Sequence, residues 1–247
     1  MILSNPEDTV HKIQLYRLLT AILDEPVLAH NICFKGGTCA LMRGLLDRFS
    51  VDLDFDLKIG VDKTLIRKKC TELFPKIKLT INKQHETALM FILHYNTKDP
   101  VRNTLKLSII DNPPRTNMCE TVLLPEIDRY ANVHTVETMV ANKLVAPFDR
   151  FEKYGSIAGR DIYDIHYFLS HHLPYSKIII EERRKTDSVT YLKELIAFIQ
   201  TNVSQRVIEQ DLNMLLQPAV FQIIRKTLKN ETLMLLANEL QMIKETR

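Results

Sequence analysis

Asp52 and Asp54 stand at i and i+2 in the run Val51-Asp52-Leu53-Asp54-Phe55. In a strand this spacing puts both carboxylates on one face, about 6.5 Å apart at the backbone, and turns Leu53 and Phe55 toward the core. At an effective dielectric of about 20, two like charges at that distance repel by roughly 2–3 kcal/mol, so a fold that retains the pair uses it to hold a cation. A second chemical element, Gly36-Gly37-Thr38, lies just upstream. Two glycines permit a tight turn and the close approach of a phosphate to backbone N–H groups, and Thr38 is placed to cap the helix that follows.

The surrounding elements must position these groups. Ser4, Pro6 and Glu7 have the form of a capping box, opening a helix on which Ile13, Tyr16, Leu19 and Leu23 recur until Pro26 ends the run. Ala40, Leu41, Leu45 and Leu46 stripe a second helix ending near Arg48, before the acidic strand. Lys58 to Lys83 carries eight basic residues against two acidic ones. Its first part reads as a helix with Leu65, Ile66 and Leu73, and its second as a strand with Ile77, Leu79 and Ile81 alternating. Further strands are expected over Ala88–Tyr95 and Thr104–Ile110, closed by Asn112-Pro113-Pro114.

From Thr135 onward the pattern is helical, with helices over Thr138–Ala146 and Arg160–His171 and breaks near Pro174 and Pro218. The strands of the first half are too closely spaced for a helical crossover between every pair. The expected class is therefore α+β: a mixed sheet with flanking helices over residues 1–133, and a mostly helical region over 134–247 packed closely against it.

Composition bounds the remaining possibilities. A chain of 247 residues, 45% hydrophobic and 26% charged, is that of an ordinary globular protein with a substantial core. A net charge of +3 is too small to argue for nucleic acid by itself, so that case rests on local clusters such as Arg67-Lys68-Lys69, which is either a solvated helix face or a grip on an RNA backbone. Cys33, Cys39, Cys70 and Cys119 show neither a CxxC pair nor zinc spacing, and no secretory signal is visible, so reduced thiols and a cytoplasmic location are expected. The most apolar stretch, Ala88–Leu93, is far shorter than the roughly 20 residues that span a bilayer.

The Gly-Gly turn, a helix, and then Asp-hydrophobic-Asp-hydrophobic, with thirteen residues between Thr38 and Asp52, resembles the DNA polymerase β-like nucleotidyltransferase superfamily. The wording Lys35-Gly36-Gly37-Thr38 with Arg48-Phe49-Ser50-Val51-Asp52-Leu53-Asp54-Phe55 resembles the AbiEii/AbiGii-type toxin branch. A second block, Asn142-Lys143-Leu144-Val145-Ala146, Arg150 and Arg160-Asp161-Ile162-Tyr163-Asp164, is similar to that branch's Lys-x-x-Ala and Arg-Asp-x-x-Asp segments.

The resemblance implies that Asp52 and Asp54 bind Mg²⁺, while Lys143 and Asp161 complete the catalytic set. It assigns Lys35, Gly36, Gly37 and Thr38 to the nucleotide, with Arg48, Ser50 and Lys106 beside them and Arg160 and Asp164 from the second block. Mg²⁺ would bridge carboxylates and a triphosphate, Lys143 would add positive charge, and Asp161 or Asp164 would orient that lysine or touch the nucleotide. Arg48 either binds substrate or braces the acidic strand. Lys143 with Arg160-Asp161 has a purely structural alternative, an ion-pair cluster joining the two halves.

One departure stands out. Superfamily enzymes usually place a third carboxylate on a neighbouring strand, and in Lys106-Leu107-Ser108-Ile109 a serine, Ser108, holds that position. Asp56 and Asp111 are the possible substitutes. The implied activity is transfer of NMP from an NTP to RNA, foremost the tRNA 3′ end, in a toxin–antitoxin or phage-defence setting with a cognate antitoxin. Two alternatives remain open: a nucleotide- or RNA-binding protein that has lost turnover, and the same chemistry on a protein or small molecule. The remaining charged clusters read as bland. His166, His171 and His172 lack a metal-binding spacing, and Glu181-Glu182-Arg183-Arg184-Lys185 has the look of a solvated turn.

Overall fold

Strand β2 (Asp52–Leu57) lies at the centre of a seven-stranded sheet in the computed structural model, which describes residues 6–96 and 102–245. The chain divides into two units, Met1–Thr135 and Val136–Arg247. The sheet belongs to the first. Helices α1 (Pro6–Asp24) and α2 (Pro26–Asn31) lead into β1 (Ile32–Lys35), α3 (Gly36–Met42) and β2. Then come α4 (Lys63–Lys76), β3 (Thr80–Gln84), β4 (Leu89–His94), β5 (Thr104–Ile110), β6 (Cys119–Leu124) and β7 (Arg129–His134).

The strand order is β3-β4-β5-β2-β1-β7-β6. β2 pairs with β5, and β1 with β7, in parallel, while the other pairs are antiparallel. This is the mixed α+β sheet expected from the strand spacing. Alternation sorts the side chains: Leu53 and Phe55 of β2, Leu105, Leu107 and Ile109 of β5, and Phe91 and Leu93 of β4 are all buried. Phe34 and Phe55 meet across β1 and β2 with ring centroids 5.1 Å apart, and α4 packs Phe74 edge-on against Phe91 at 5.2 Å. Asp62 caps α4 by accepting from the Thr64 N–H.

Several local expectations are corrected. The core stripe of α1 is Leu15, Leu18, Leu19 and Ile22, whereas Ile13 is exposed; the i, i+3, i+4 face that packs is rotated from the one the sequence pattern marked. The Ser4 cap lies outside the described residues. Helix α3 stops at Met42, well short of Arg48, because Gly44 adopts φ +70° and the Leu45 N–H bonds back to the Ala40 carbonyl in a Schellman closure. Strand β3 begins only at Thr80; Leu79 is buried just before it, and every β3 residue is exposed. The β6–β7 hairpin had no counterpart in the sequence reading.

The expectation of reduced thiols also fails at one pair. Cys33 and Cys119, 86 residues apart, form a disulfide, because the sheet brings their Cα atoms to 6.5 Å.

The second unit is helical, as expected: α5 (Val136–Tyr154), α6 (Gly159–Ser170), α7 (Lys177–Arg184), α8 (Ser188–Asn202), α9 (Gln205–Leu212) and α10 (Pro218–Glu245). Residues 181–185 are not a solvated turn. Arg183 and Arg184 end α7 and tie it to α5, Arg183 through Asn142 at 2.5 Å and Asp149, Arg184 through Glu152 at 2.7 Å. Arg184 also stacks 4.8 Å from the Phe148 ring centre, so packing on α5 rather than hydration accounts for the charge run. Among the described residues, no helix is long and apolar enough to cross a membrane.

Candidate active site

One face of β2 carries Asp52, Asp54 and Asp56 in a row, the first two half-buried and Asp56 buried. Gly36 leaves β1 with φ +79°, a conformation that glycine adopts at little cost, and a Cβ there would meet Asp54 Oδ2 at 2.9 Å. At Gly37 space alone is the constraint, since a Cβ would meet Ser50 Oγ at 2.9 Å and Arg48 Nη2 at 3.0 Å. The double glycine thus lets the turn lie against the acidic strand. Thr38 is inside α3 rather than capping it; Oγ1 donates to the Asp52 carbonyl at 2.5 Å and lies 2.9 Å from Ser50 Oγ. Its role is to clip the turn to the first aspartate.

Arg48 is buried, with Nη1 donating to the Phe49 carbonyl at 3.0 Å. In the parallel register, Asp52 faces Lys106 and Asp54 faces Ser108. Lys106 Nζ lies 3.8 Å from Asp52 Oδ2 with both groups partly exposed, so a cation already stands at the outer aspartate. The serine is therefore next to Asp54 on the sheet, where the third acid was anticipated.

Both proposed substitutes for that acid are engaged elsewhere. Asp56 pairs with Lys35 through Oδ1, and its Oδ2 accepts from His134 Nε2 and Asn117 Nδ2, each at 2.8 Å. Burial alone would raise the Asp56 carboxyl, but the His134 hydrogen bond and the Lys35 charge outweigh it and hold the group at about 2. Lys35 is thereby an ion-pair partner of Asp56. Asp111 follows β5 and is ion-paired with Lys63 at 2.8 Å, whose hydrogen bond holds its carboxyl below the usual range.

In the helical unit, Lys143 Nζ lies 2.6 Å from Asp164 Oδ2, and Asp164 is fully buried. Arg150 grips Asp161 through both of its ends, Nε to Oδ2 at 2.6 Å and Nη2 to Oδ1 at 3.4 Å. Each pair joins α5 to α6, so the ion pairs foreseen between the halves close within one unit. Arg160 is half-buried on α6. Sequence reasoning missed the roles of His134 and Asn117 altogether. Arg150 carried a signal only as part of the second motif block.

Asp52 and Asp54 fit a hard divalent cation. Mg²⁺ takes oxygen ligands, commonly one or two carboxylates, with water and substrate phosphates filling the rest. Two carboxylates on one strand face beside a glycine turn supply that minimum.

The model of the nucleotidyl transferase AbiEii toxin family, a type IV toxin–antitoxin system, matches residues 17–230. The chain belongs to this family. Its AbiEii fold recurs in a putative nucleotidyltransferase from Helicobacter pylori, at a TM-score of 0.62 and 20% identity over 98% of this chain and 99% of that one. JHP933 from Helicobacter pylori gives a TM-score of 0.59 at 20% identity, covering 99% of this chain and 97% of the other. MenT4, a nucleotidyltransferase toxin from Mycobacterium tuberculosis H37Rv, gives 0.56 at 14% identity, covering 93% and 84%. At these identities the solved structures speak for the fold, and the family model speaks for an AbiEii nucleotidyltransferase toxin. No curated protein matches significantly.

Proposed function

We propose that the protein is a Mg²⁺-dependent toxin that transfers NMP from an NTP to an RNA hydroxyl, most directly the 3′ end of tRNA. The observation carrying this reading is the placement of Asp54 against the Gly36 turn, with Asp52 beside it on the same strand face. In the reaction the acceptor oxygen forms a bond to the α-phosphorus, the bond to the bridging oxygen breaks, and pyrophosphate leaves. Mg²⁺, when bound, polarises the α-phosphate and offsets the charge of the leaving pyrophosphate.

The chain's own residues supply the rest. Asp52 and Asp54 fix the cation's side of the nucleotide, and the Gly36-Gly37 turn admits phosphate close to backbone. Thr38 and Arg48 hold that turn and strand in register. Lys106, 3.8 Å from Asp52, offsets its charge. With Ser108 next to Asp54, no acid on β5 receives the acceptor's proton, and it leaves to solvent. The assignment of Lys143 to the triphosphate belongs to the same proposal; Asp164 would orient that lysine.

RNA as acceptor is supported by Lys68, Lys76, Lys78 and Lys83, exposed on α4, β3 and their link, although Arg67 is taken up by the His85 and Ala88 carbonyls. NTP and tRNA are cytoplasmic, and the family's toxin–antitoxin setting supplies a cognate antitoxin as partner. Labelled NTPs, Mg²⁺ and total tRNA test the proposal: label should pass to tRNA, and Asp52→Ala or Asp54→Ala should abolish it. Failure with all four NTPs, on RNA and on protein, refutes catalysis. Ser108 favours one other reading, a nucleotide- or RNA-binding protein without turnover; it requires NTP binding with no pyrophosphate release.

A further inference from the structure

The sheet face that carries Asp52 and Asp54 continues across β1 and β7 to β6, and there its chemistry changes from hard oxygen donors to sulfur and imidazole. Cys33 of β1 and Cys119 of β6 are joined by a disulfide, and His134 of β7 stands directly opposite Cys119 in the strand register. A ring nitrogen of His134 and the two sulfurs all lie within 4.8 Å of one another. Cys33 and His134 are buried, whereas Cys119 is open to solvent. His134 Nε2 is 2.8 Å from Asp56, whose carboxylate is itself fixed by Lys35 and Asn117.

A disulfide needs neither the imidazole nor a carboxylate fixing its orientation. Two thiolates and an imidazole form the donor set of a tetrahedral zinc site, and a carboxylate hydrogen-bonded to the imidazole fixes the ring. Three protein ligands and one solvent-facing side leave a fourth position for water. We infer that, once the disulfide is reduced, Cys33, Cys119 and His134 bind one Zn²⁺, so that disulfide and metal are alternative states of one site.

The chemistry balances with a dithiol as reductant. Two electrons and two protons pass to Cys33 Sγ and Cys119 Sγ as the dithiol closes to its own disulfide. Zn²⁺ then displaces both thiol protons to solvent, and the neutral imidazole of His134 ligates through a ring nitrogen while Asp56 remains ionised. The inference is independent of nucleotidyl transfer, and its readout is optical and chemical.

The test uses the full chain, reduced with a dithiol and desalted anaerobically, then titrated with Co²⁺. One equivalent should produce thiolate-to-cobalt charge-transfer absorption with tetrahedral visible bands, bleached by one equivalent of Zn²⁺; the oxidised protein should give none. Cys119→Ser, at an exposed position, should weaken Co²⁺ binding at least tenfold and lower the charge-transfer intensity. Cys39 and Cys70 are buried thiols and serve as internal controls. In the unmodified protein, saturating Zn²⁺ should slow alkylation of Cys119 by iodoacetamide at least tenfold, read by mass spectrometry. No charge-transfer band in the reduced protein, Cys119→Ser titrating like the unmodified chain, or alkylation unaffected by Zn²⁺ would each overturn the inference.

Discussion

The Asp54 carboxylate rests on the backbone of Gly36, leaving less room than one methyl group requires: an added Cβ would sit 2.9 Å from Oδ2. Gly36→Ala therefore meets two obstacles, a left-handed φ and a displaced carboxylate. The strained backbone should cost about 1–3 kcal/mol in denaturant unfolding. A shift of the order of 1 Å at Asp54 should lower nucleotide transfer about a hundredfold. Undiminished transfer would show that Asp54 is not held in place by the turn.

The Asp56 hub gives a defined pH response. Its folded carboxyl lies at about 2, below the ordinary 3.8, so the folded state favours the ionised form. The resulting stability is fully present above about pH 4 and is lost as pH falls through 2, amounting to about 2 kcal/mol. Asp56→Asn leaves Lys35 and His134 without their shared anion and should cost about 3 kcal/mol at pH 7. The difference between variant and parent should shrink in unfolding curves taken near pH 2.

Arg150 and Asp161 form a part-buried fork within the helical unit. A double-mutant cycle with Arg150→Met and Asp161→Leu should give a coupling of about 1–3 kcal/mol in thermal unfolding. If Asp161 instead acts in the chemistry alone, Asp161→Leu should leave the melting temperature unchanged while activity falls.

Ser108 offers a gain-of-function test of the proposed reaction. Ser108→Asp places a third carboxylate opposite Asp54, which should destabilise the metal-free protein by about 1 kcal/mol through cross-strand repulsion. Saturating Mg²⁺ should restore that loss. A newly supplied base should raise the transfer rate about tenfold, short of the ~10²–10⁴ of an evolved one. A Mg²⁺-independent melting curve would count against a cation at this face.

Legibility in the sequence followed burial contrast. β2, β4 and β5 alternate between a buried face and a wetter one, and their period-2 pattern announced them. β3 is exposed on both sides and β6 on nearly all of its length, so neither carries that contrast and both were misread or missed. At the site, spacing puts Asp52 and Asp54 on one face and leaves Asp56 as a possible third acid, but that Asp56 is consumed internally depends on Lys35, Asn117 and His134. Those partners come from 21, 61 and 78 residues away. The Cys33–Cys119 contact likewise depends on strand order, which no local spacing encodes. Thr38 was legible as a polar group at a turn, and its actual acceptor, a strand carbonyl, was not.

The strand order has a kinetic corollary. β2 lies between β1 and β5, and its residues 54–56 have strand partners on both sides. Amides so paired exchange with solvent only when the sheet itself opens. Asp54 and Asp56 thus stand on backbone held from both sides, and local fraying at β3 or β6 leaves their spacing intact.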